Sequence, residues 1–216
     1  MKTLVLGAGR MGSSVIKYLA SKDEILVYDR NEDKIEVLKK EFSLPIRLAS
    51  FDDLFDTDYL FMVISADGVT GFLEEHIKEL KPGATVVNMA TALPNESFFT
   101  FKRYNKRVNL VQAKIIGHYK ELELEPLVLF LEGDKKEQVA DILRDWGKIY
   151  FMETDIVHQI NGEAVKQAIS AVEHMKGHIV HFRLPKDVET ALLRNVLAGT
   201  LKAYAVNDVG PYFNNV

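Results

Sequence analysis

The 216-residue sequence has no cysteine. That removes disulfides, thiol nucleophiles and cysteine-ligated metals from consideration, and it is compatible with a reducing compartment without requiring one. There is no apolar run near the roughly 20 residues a membrane helix needs. The first residues lead straight into an apolar strand rather than a basic leader, so neither secretion nor membrane spanning is expected, and a cytoplasmic location is. An excess of positive charge is also missing: the formal net charge is −4, which argues against nucleic acid or an anionic membrane as the main partner. No internal repeat or low-complexity tract interrupts the chain. What remains is a globular composition, long enough for one full domain plus a smaller element.

The most informative stretch comes first. Leu4-Val5-Leu6 runs into Gly7-Ala8-Gly9-Arg10-Met11-Gly12, and a helix-forming segment follows at once. A second apolar run, Ile25 to Tyr28, ends in Asp29, seventeen residues after Gly12. Strand, G-x-G-x-x-G turn, helix, strand and acid, in that order, form the βαβ fingerprint of a dinucleotide site. Gly7 permits the sharp turn, Gly9 permits close approach of backbone to a diphosphate, and Gly12 permits close helix–sheet packing. The helix starting near Arg10 directs its N–H groups and positive dipole end at that diphosphate, with Ala8 and Met11 in the same turn. Asp29 is placed to accept hydrogen bonds from both adenosine ribose hydroxyls and to repel a 2′-phosphate, so NAD(H) is favoured. Arg30 follows directly and can grip such a phosphate if Asp29 swings away, which keeps NADP(H) open.

Further along, Met11, Val15, Ile16 and Leu19 give the first expected helix an apolar face. Asn31 is expected to cap a helix carrying Ile35, Val37 and Leu38, and Ile46 to Ala49 reads as a third strand. Tyr59 to Ile64 is a continuous apolar run, as in a parallel strand covered on both faces. Its end, Ser65-Ala66, and the end of the next strand, Thr85 to Met89 with Thr91 beyond, are where ligands sit in open α/β sheets. Val108–Val111 and Leu127–Leu131 predict two more strands. Asp134 is expected to cap a helix that Gly147 ends, and Ile149 to Met152 predicts the last strand. Beyond Asp155 no strand signal remains; a long helix is expected over Ile156 to Phe182, with Leu184-Pro185 before another. The expected fold is therefore α/β: a doubly wound, mainly parallel Rossmann sheet over residues 1–153, followed by a small all-helical segment over 154–216. Two helices cannot bury a core alone, so a homodimer through them is expected.

On these residues, with Leu80-Lys81-Pro82-Gly83-Ala84-Thr85-Val86-Val87, the sequence resembles the superfamily of 6-phosphogluconate and β-hydroxyacid dehydrogenases and pyrroline-5-carboxylate reductases. It is also similar to the deazaflavin-dependent NADP reductases. The resemblance implies an oxidoreductase that passes hydride between a nicotinamide cofactor and a small-molecule substrate, and that dimerises through its helices. Gly162-Glu163-Ala164-Val165-Lys166 reproduces the glycine-to-lysine spacing that carries the catalytic lysine in β-hydroxyacid dehydrogenases; the amide expected one turn later is Ser170 here. Lys166 is thus a candidate proton donor. Relatives often carry a proline after the sixth strand, whereas this chain reads Gln112-Ala113-Lys114-Ile115-Ile116-Gly117-His118. Lys114 and His118, on that expected loop, can bind a carboxylate or relay a proton; two solvated side chains on a connection are the plainer reading.

His174, His178 and His181 share one helix face, but no acid stands at the next turn, so no metal is expected. Asp52, Asp53, Asp56 and Asp58 read as a solvated cap face. Glu121, Glu123 and Glu125, alternating with leucines, read as an edge strand or extended loop. The rival to an enzyme is a nucleotide-sensing regulatory subunit such as those that gate potassium transporters, which begin with the same glycine-rich βαβ. Such sensors continue into a small α/β lobe, whereas this chain turns helical after Glu153.

Overall fold

The computed structural model describes residues 1–117 and 127–206. These form eight strands: β1 (Thr3–Leu6), β2 (Ile25–Tyr28), β3 (Ile46–Leu48), β4 (Tyr59–Met62), β5 (Thr85–Asn88), β6 (Asn109–Ile116), β7 (Leu127–Gly133) and β8 (Gly147–Phe151). They lie in one sheet in the order β3-β2-β1-β4-β5-β6-β7-β8. Every pairing is parallel except β6 with β7. The helices between them are α1 (Arg10–Ala20), α2 (Asp33–Phe42), α3 (Ala66–His76), the short α4 (Asn95–Phe99) and α5 (Lys136–Leu143).

The strands are apolar throughout because both faces are covered. In register, Leu4, Leu60, Val86 and Leu110 lie side by side. They face a core that includes Val69 and Leu73 of α3 and Phe98 and Phe101 beyond β5. Their neighbours Val5, Phe61, Val87 and Val111 face the other core, with Val15, Ile16 and Leu19 of α1, Ile35 and Leu38 of α2 and Val139 and Leu143 of α5. Removing one such fully buried Leu or Phe side chain costs about 2–5 kcal/mol. The chain runs outward from β1 to β3 and then returns to the other side of β1 as β4. That reversal opens a crevice at the carboxyl ends of β1 and β4, between elements that pack on opposite faces.

The chain divides into two compact units, Met1–Asn161 and Gly162–Val216. Helix α6 (Asp155–Ile179) begins in the first unit and continues into the second, followed by a 3-10 turn over Val180–Phe182. Pro185 precedes α7 (Lys186–Ala191), which runs through a π-helical stretch, Leu192–Leu197, into α8 (Ala198–Ala205). No residue of α7, the π stretch or α8 is buried. Among the described residues no helix is long and apolar enough to cross a membrane.

Several local expectations are corrected. The sixth strand does not stop at Val111 but continues to Ile116, so Gln112 and Lys114 lie in β6 and are fully buried rather than on a loop. Residues 95–103 form α4 and a 3-10 turn that the sequence pattern did not suggest. Asp134 does not cap α5: its Oδ2 accepts from the Leu110 amide at 3.2 Å and pairs with Lys102, while left-handed Lys135 (φ 49°) starts the helix. Gly147 opens β8, where a side chain would collide with the Leu127 backbone. Asn31 sits one position before the α2 cap and accepts from the Asp33 amide at 3.1 Å, and Val37 is exposed. The acidic cluster is tied down by two lysines: Lys2 reaches Asp53 at 2.9 Å, and Lys81 reaches Asp58 at 2.8 Å. The alternating Glu121, Glu123 and Glu125 lie outside the described residues.

Candidate functional site

The three glycines differ in what requires them. Gly7 has φ +108°, and a Cβ there would come within 2.6 Å of the Val63 carbonyl oxygen. At Gly12 a Cβ would collide with the Gly7 backbone. Both are demanded by the fold itself. Gly9 is not: its φ is −74°, and a Cβ would meet nothing within 4 Å. The space it leaves lies at the start of α1, which no side chain caps and whose first turn holds no acid. Helix N–H groups and the positive dipole end therefore face an approach route for an anion.

Asp29, at the end of β2, faces the same turn. Its Oδ2 accepts from the Ala8 amide at 2.7 Å and its Oδ1 from the Asn31 amide at 2.9 Å, with Lys34 Nζ at 3.4 Å. Burial by itself would raise the carboxyl's pKa; the two amides and the Lys34 ammonium outweigh it and hold the group below the usual aspartate value. Ala8 and Asn31 thus fix Asp29 as an ionised, oriented acceptor with lone pairs still open to hydroxyls. Arg30 is exposed beside it.

Gly7, Gly9, Asp29, Arg30, Lys34 and Ser65 line one cavity of about 670 Å³. Its far wall is aromatic. His76 lies 5.2 Å from the Phe51 ring and 5.3 Å from Phe72, held by Glu79 at 3.2 Å. Ser65 caps α3, its Oγ accepting from the Gly68 amide at 3.2 Å, and Ala66 starts that helix. Thr91 lies beyond the end of β5, half-buried. Phe72 and His76 stand one turn apart on α3, but Phe51 comes from the segment before β4, so no single stretch of sequence displays the aromatic wall. Lys34 was findable, since it lies five residues past the acid, in the first turn of the expected helix.

The remaining candidates fall elsewhere. Lys114 Nζ is buried and donates to the Leu93 carbonyl at 2.8 Å and to Asp155 Oδ1 at 3.0 Å. His118 lies outside the described residues. Lys166 belongs to the second unit, is 76% exposed, and has Glu163 Oε2 at 3.9 Å. His174 and His178 bring their Nε2 atoms to 2.9 Å, yet no group of three possible ligands exists among the described residues.

The family model for the NAD binding domain of 6-phosphogluconate dehydrogenase matches residues 2–180. The chain belongs to this family. Its glycine turn, anchored acid and cavity fit a nicotinamide dinucleotide, and membership places it with the NAD(P)-dependent oxidoreductases. No curated protein matches the sequence significantly. Similar solved structures include 3-hydroxyisobutyrate dehydrogenase from Salmonella typhimurium, with a TM-score of 0.74 at 15% identity over 96% of this chain and 79% of that one. A reductive aminase from Aspergillus terreus, solved with NADPH, cyclohexanone and allyl amine, gives 0.73 at 15% identity, covering 95% and 73%. An imine reductase from Pseudomonas sp. gives 0.69 at 17% identity, covering 96% and 78%. At these identities the likeness is one of fold.

Proposed function

We propose that the chain moves hydride between a nicotinamide cofactor and a small carbonyl, imine or hydroxy compound, with NAD(H) the preferred carrier. The observation that carries the reading is Gly9, a glycine the protein's own packing does not require, opening onto the cavity that holds Asp29. Backbone from Gly7 to Gly12, with Ala8, Arg10 and Met11 in the turn, cradles the diphosphate. Asp29 takes the adenosine ribose hydroxyls, and its two amide anchors keep it from swinging aside for a 2′-phosphate, which favours NAD(H) over NADP(H) despite Arg30 and Lys34. Phe51, Phe72 and His76 offer a face for the adenine ring. Ser65, Ala66 and Thr91, beyond β4 and β5, bound the nicotinamide side and exclude water there. When bound, the nicotinamide supplies or accepts the hydride.

The functional boundary is drawn at 153/154, where β8 gives way to α6. Lys166 is the proton donor that the family's spacing selects, with His118 as a second candidate. Lys166 is exposed on the single chain, as are Val165, Ile169, Phe182, Val196 and Leu201 along the same helices. A homodimer through these helices covers that apolar surface and gives Lys166 a walled site. Sedimentation at micromolar concentration is expected to show a dimer, and Ile169→Glu a monomer; a stable wild-type monomer rejects this arrangement. The cysteine-free composition suits work in the cytoplasm.

The test of function is calorimetric titration with NADH and NADPH, followed by a carbonyl and imine substrate screen. NADH is expected to bind about tenfold or more tightly than NADPH, a difference near 1.4 kcal/mol. If neither binds, the reading fails. Tight binding without turnover across the screen favours a nucleotide-sensing subunit instead.

A further inference from the structure

Beyond the carboxyl end of β5 the chain makes a short loop, Ala90 to Pro94, before α4. Buried side chains hold this loop at Ala90 and Leu93, and half-buried Asp155 holds the Asn95 amide that follows it. Asn88, itself fully buried, accepts the Ala90 amide on Oδ1 at 3.0 Å and donates through Nδ2 to Gln112. Gln112 Nε2 and Lys114 Nζ, two residues apart on one face of β6, both donate to the Leu93 carbonyl, at 3.2 and 2.8 Å. Asp155, at the start of α6, receives Lys114 on Oδ1 and the Asn95 amide on both oxygens, at 2.9 and 3.1 Å.

Lys114 is the unusual member. Its side chain is 1% exposed, and withdrawing an ammonium from water costs several kcal/mol, recovered only with close partners. A methionine would fill the same strand position without that cost. What the ammonium adds is direction. It reaches across the sheet end, fixes one particular carbonyl of the loop and ties it to the helix that follows β8.

Where that loop lies gives the fixation a use. On the cofactor reading, a bound dinucleotide would cross the switch point from the β1–β2 side, where Asp29 would hold the adenosine half, toward the ends of β4 and β5. The Ala90–Pro94 loop, beyond the end of β5, would border the second half on that reading. We propose that Lys114 and Asp155 are a positioning pair for the nicotinamide half of the bound cofactor, acting through the Leu93 carbonyl and the Asn95 amide while leaving the adenosine half untouched. The inference rests on the cofactor reading above. It makes Lys114 a residue that sets the reacting geometry without touching the reacting atoms.

The test compares NADH with ADP-ribose, which has the adenosine and diphosphate but no nicotinamide, on the full chain. Lys114→Met is expected to weaken NADH about tenfold, to leave ADP-ribose within about twofold, and to reduce the fluorescence change of bound NADH. Asp155→Asn strands the ammonium and is expected to lower the melting temperature most. The double variant Lys114→Met/Asp155→Asn removes the stranded charge and is expected to recover stability while keeping the selective NADH loss. Equal weakening of both ligands, or recovery of NADH binding along with stability, would make the pair merely structural and overturn the proposal. An unchanged NADH affinity and fluorescence in Lys114→Met overturns it as well. A wild-type protein that binds neither ligand overturns the cofactor reading and this inference together. One that binds both, with no selective loss in the variants, overturns only the latter.

Discussion

The two ends of the crevice are built from different materials. At β1 and β2 the site is mostly backbone: three glycines, the amides of a helix start, and one carboxylate anchored by two further amides. At β5 and β6 it is a web of side chains around one loop, buried at Asn88, Gln112 and Lys114 and half-buried at Asp155. A backbone site depends on residues adjacent in sequence and tolerates little change in them. A side-chain web depends on residues tens of positions apart and tolerates substitution only in matched pairs.

Gly12→Val should break the first end most severely. The new side chain would enter the Gly7 backbone, and a loss of about 3 kcal/mol or more is expected in chemical denaturation, with failure to fold as the extreme. Gly9→Val sharpens the contrast within the same turn. A Cβ there meets no protein atom within 4 Å, so stability should hold within about 0.5 kcal/mol while NADH affinity falls about thirtyfold, read by calorimetry. If Gly9→Val binds NADH normally, the cradle is not where we place it.

Asp29→Asn should weaken NADH about tenfold and move the NADH/NADPH ratio toward NADPH, since the repulsive charge is gone while Arg30 and Lys34 remain. The smallest effect is on pH. Asp29 and Asp53 both titrate below an ordinary aspartate in the folded chain, Asp53 at about 2 through Lys2 and Ser50. A depressed folded pKa means stability that is fully present above the unfolded value, about 3.9. It is lost as pH falls through the folded value. Melting temperature should therefore decline from about pH 4 toward pH 2, and Asp29→Asn and Asp53→Asn should each flatten part of that slope. An unaltered slope in both variants would place the acid sensitivity elsewhere.

A second contrast runs along the chain. The first unit closes its own cores on both faces of the sheet, whereas α7, the π stretch and α8 bury nothing. Apolar residues recur at helical spacing in both, so their presence alone does not tell a helix with a partner from one without. Exposure does, and it is the reason for proposing a second copy.

The sequence by itself determined the glycine turn, the acid at the end of β2, the order of eight strands and the change to helix after residue 153. Each is a local matter of backbone freedom, side-chain period or chain order. Gln112 and Lys114 carried a local signal too, two polar residues at a spacing of two inside an apolar run, which marks one face of a strand. The polar stretch that follows Gly117 in sequence disguised it as a loop. Only the tertiary structure decided that Lys114 is buried, because its acceptors stand at Leu93 and Asp155, one about twenty residues before it and the other about forty after. It likewise decided that Asp134 braces β6 rather than a helix, and that Phe51, Phe72 and His76 share a wall. A charged group's place depends on whether the folded chain brings it a partner, and no window along the sequence contains that partner.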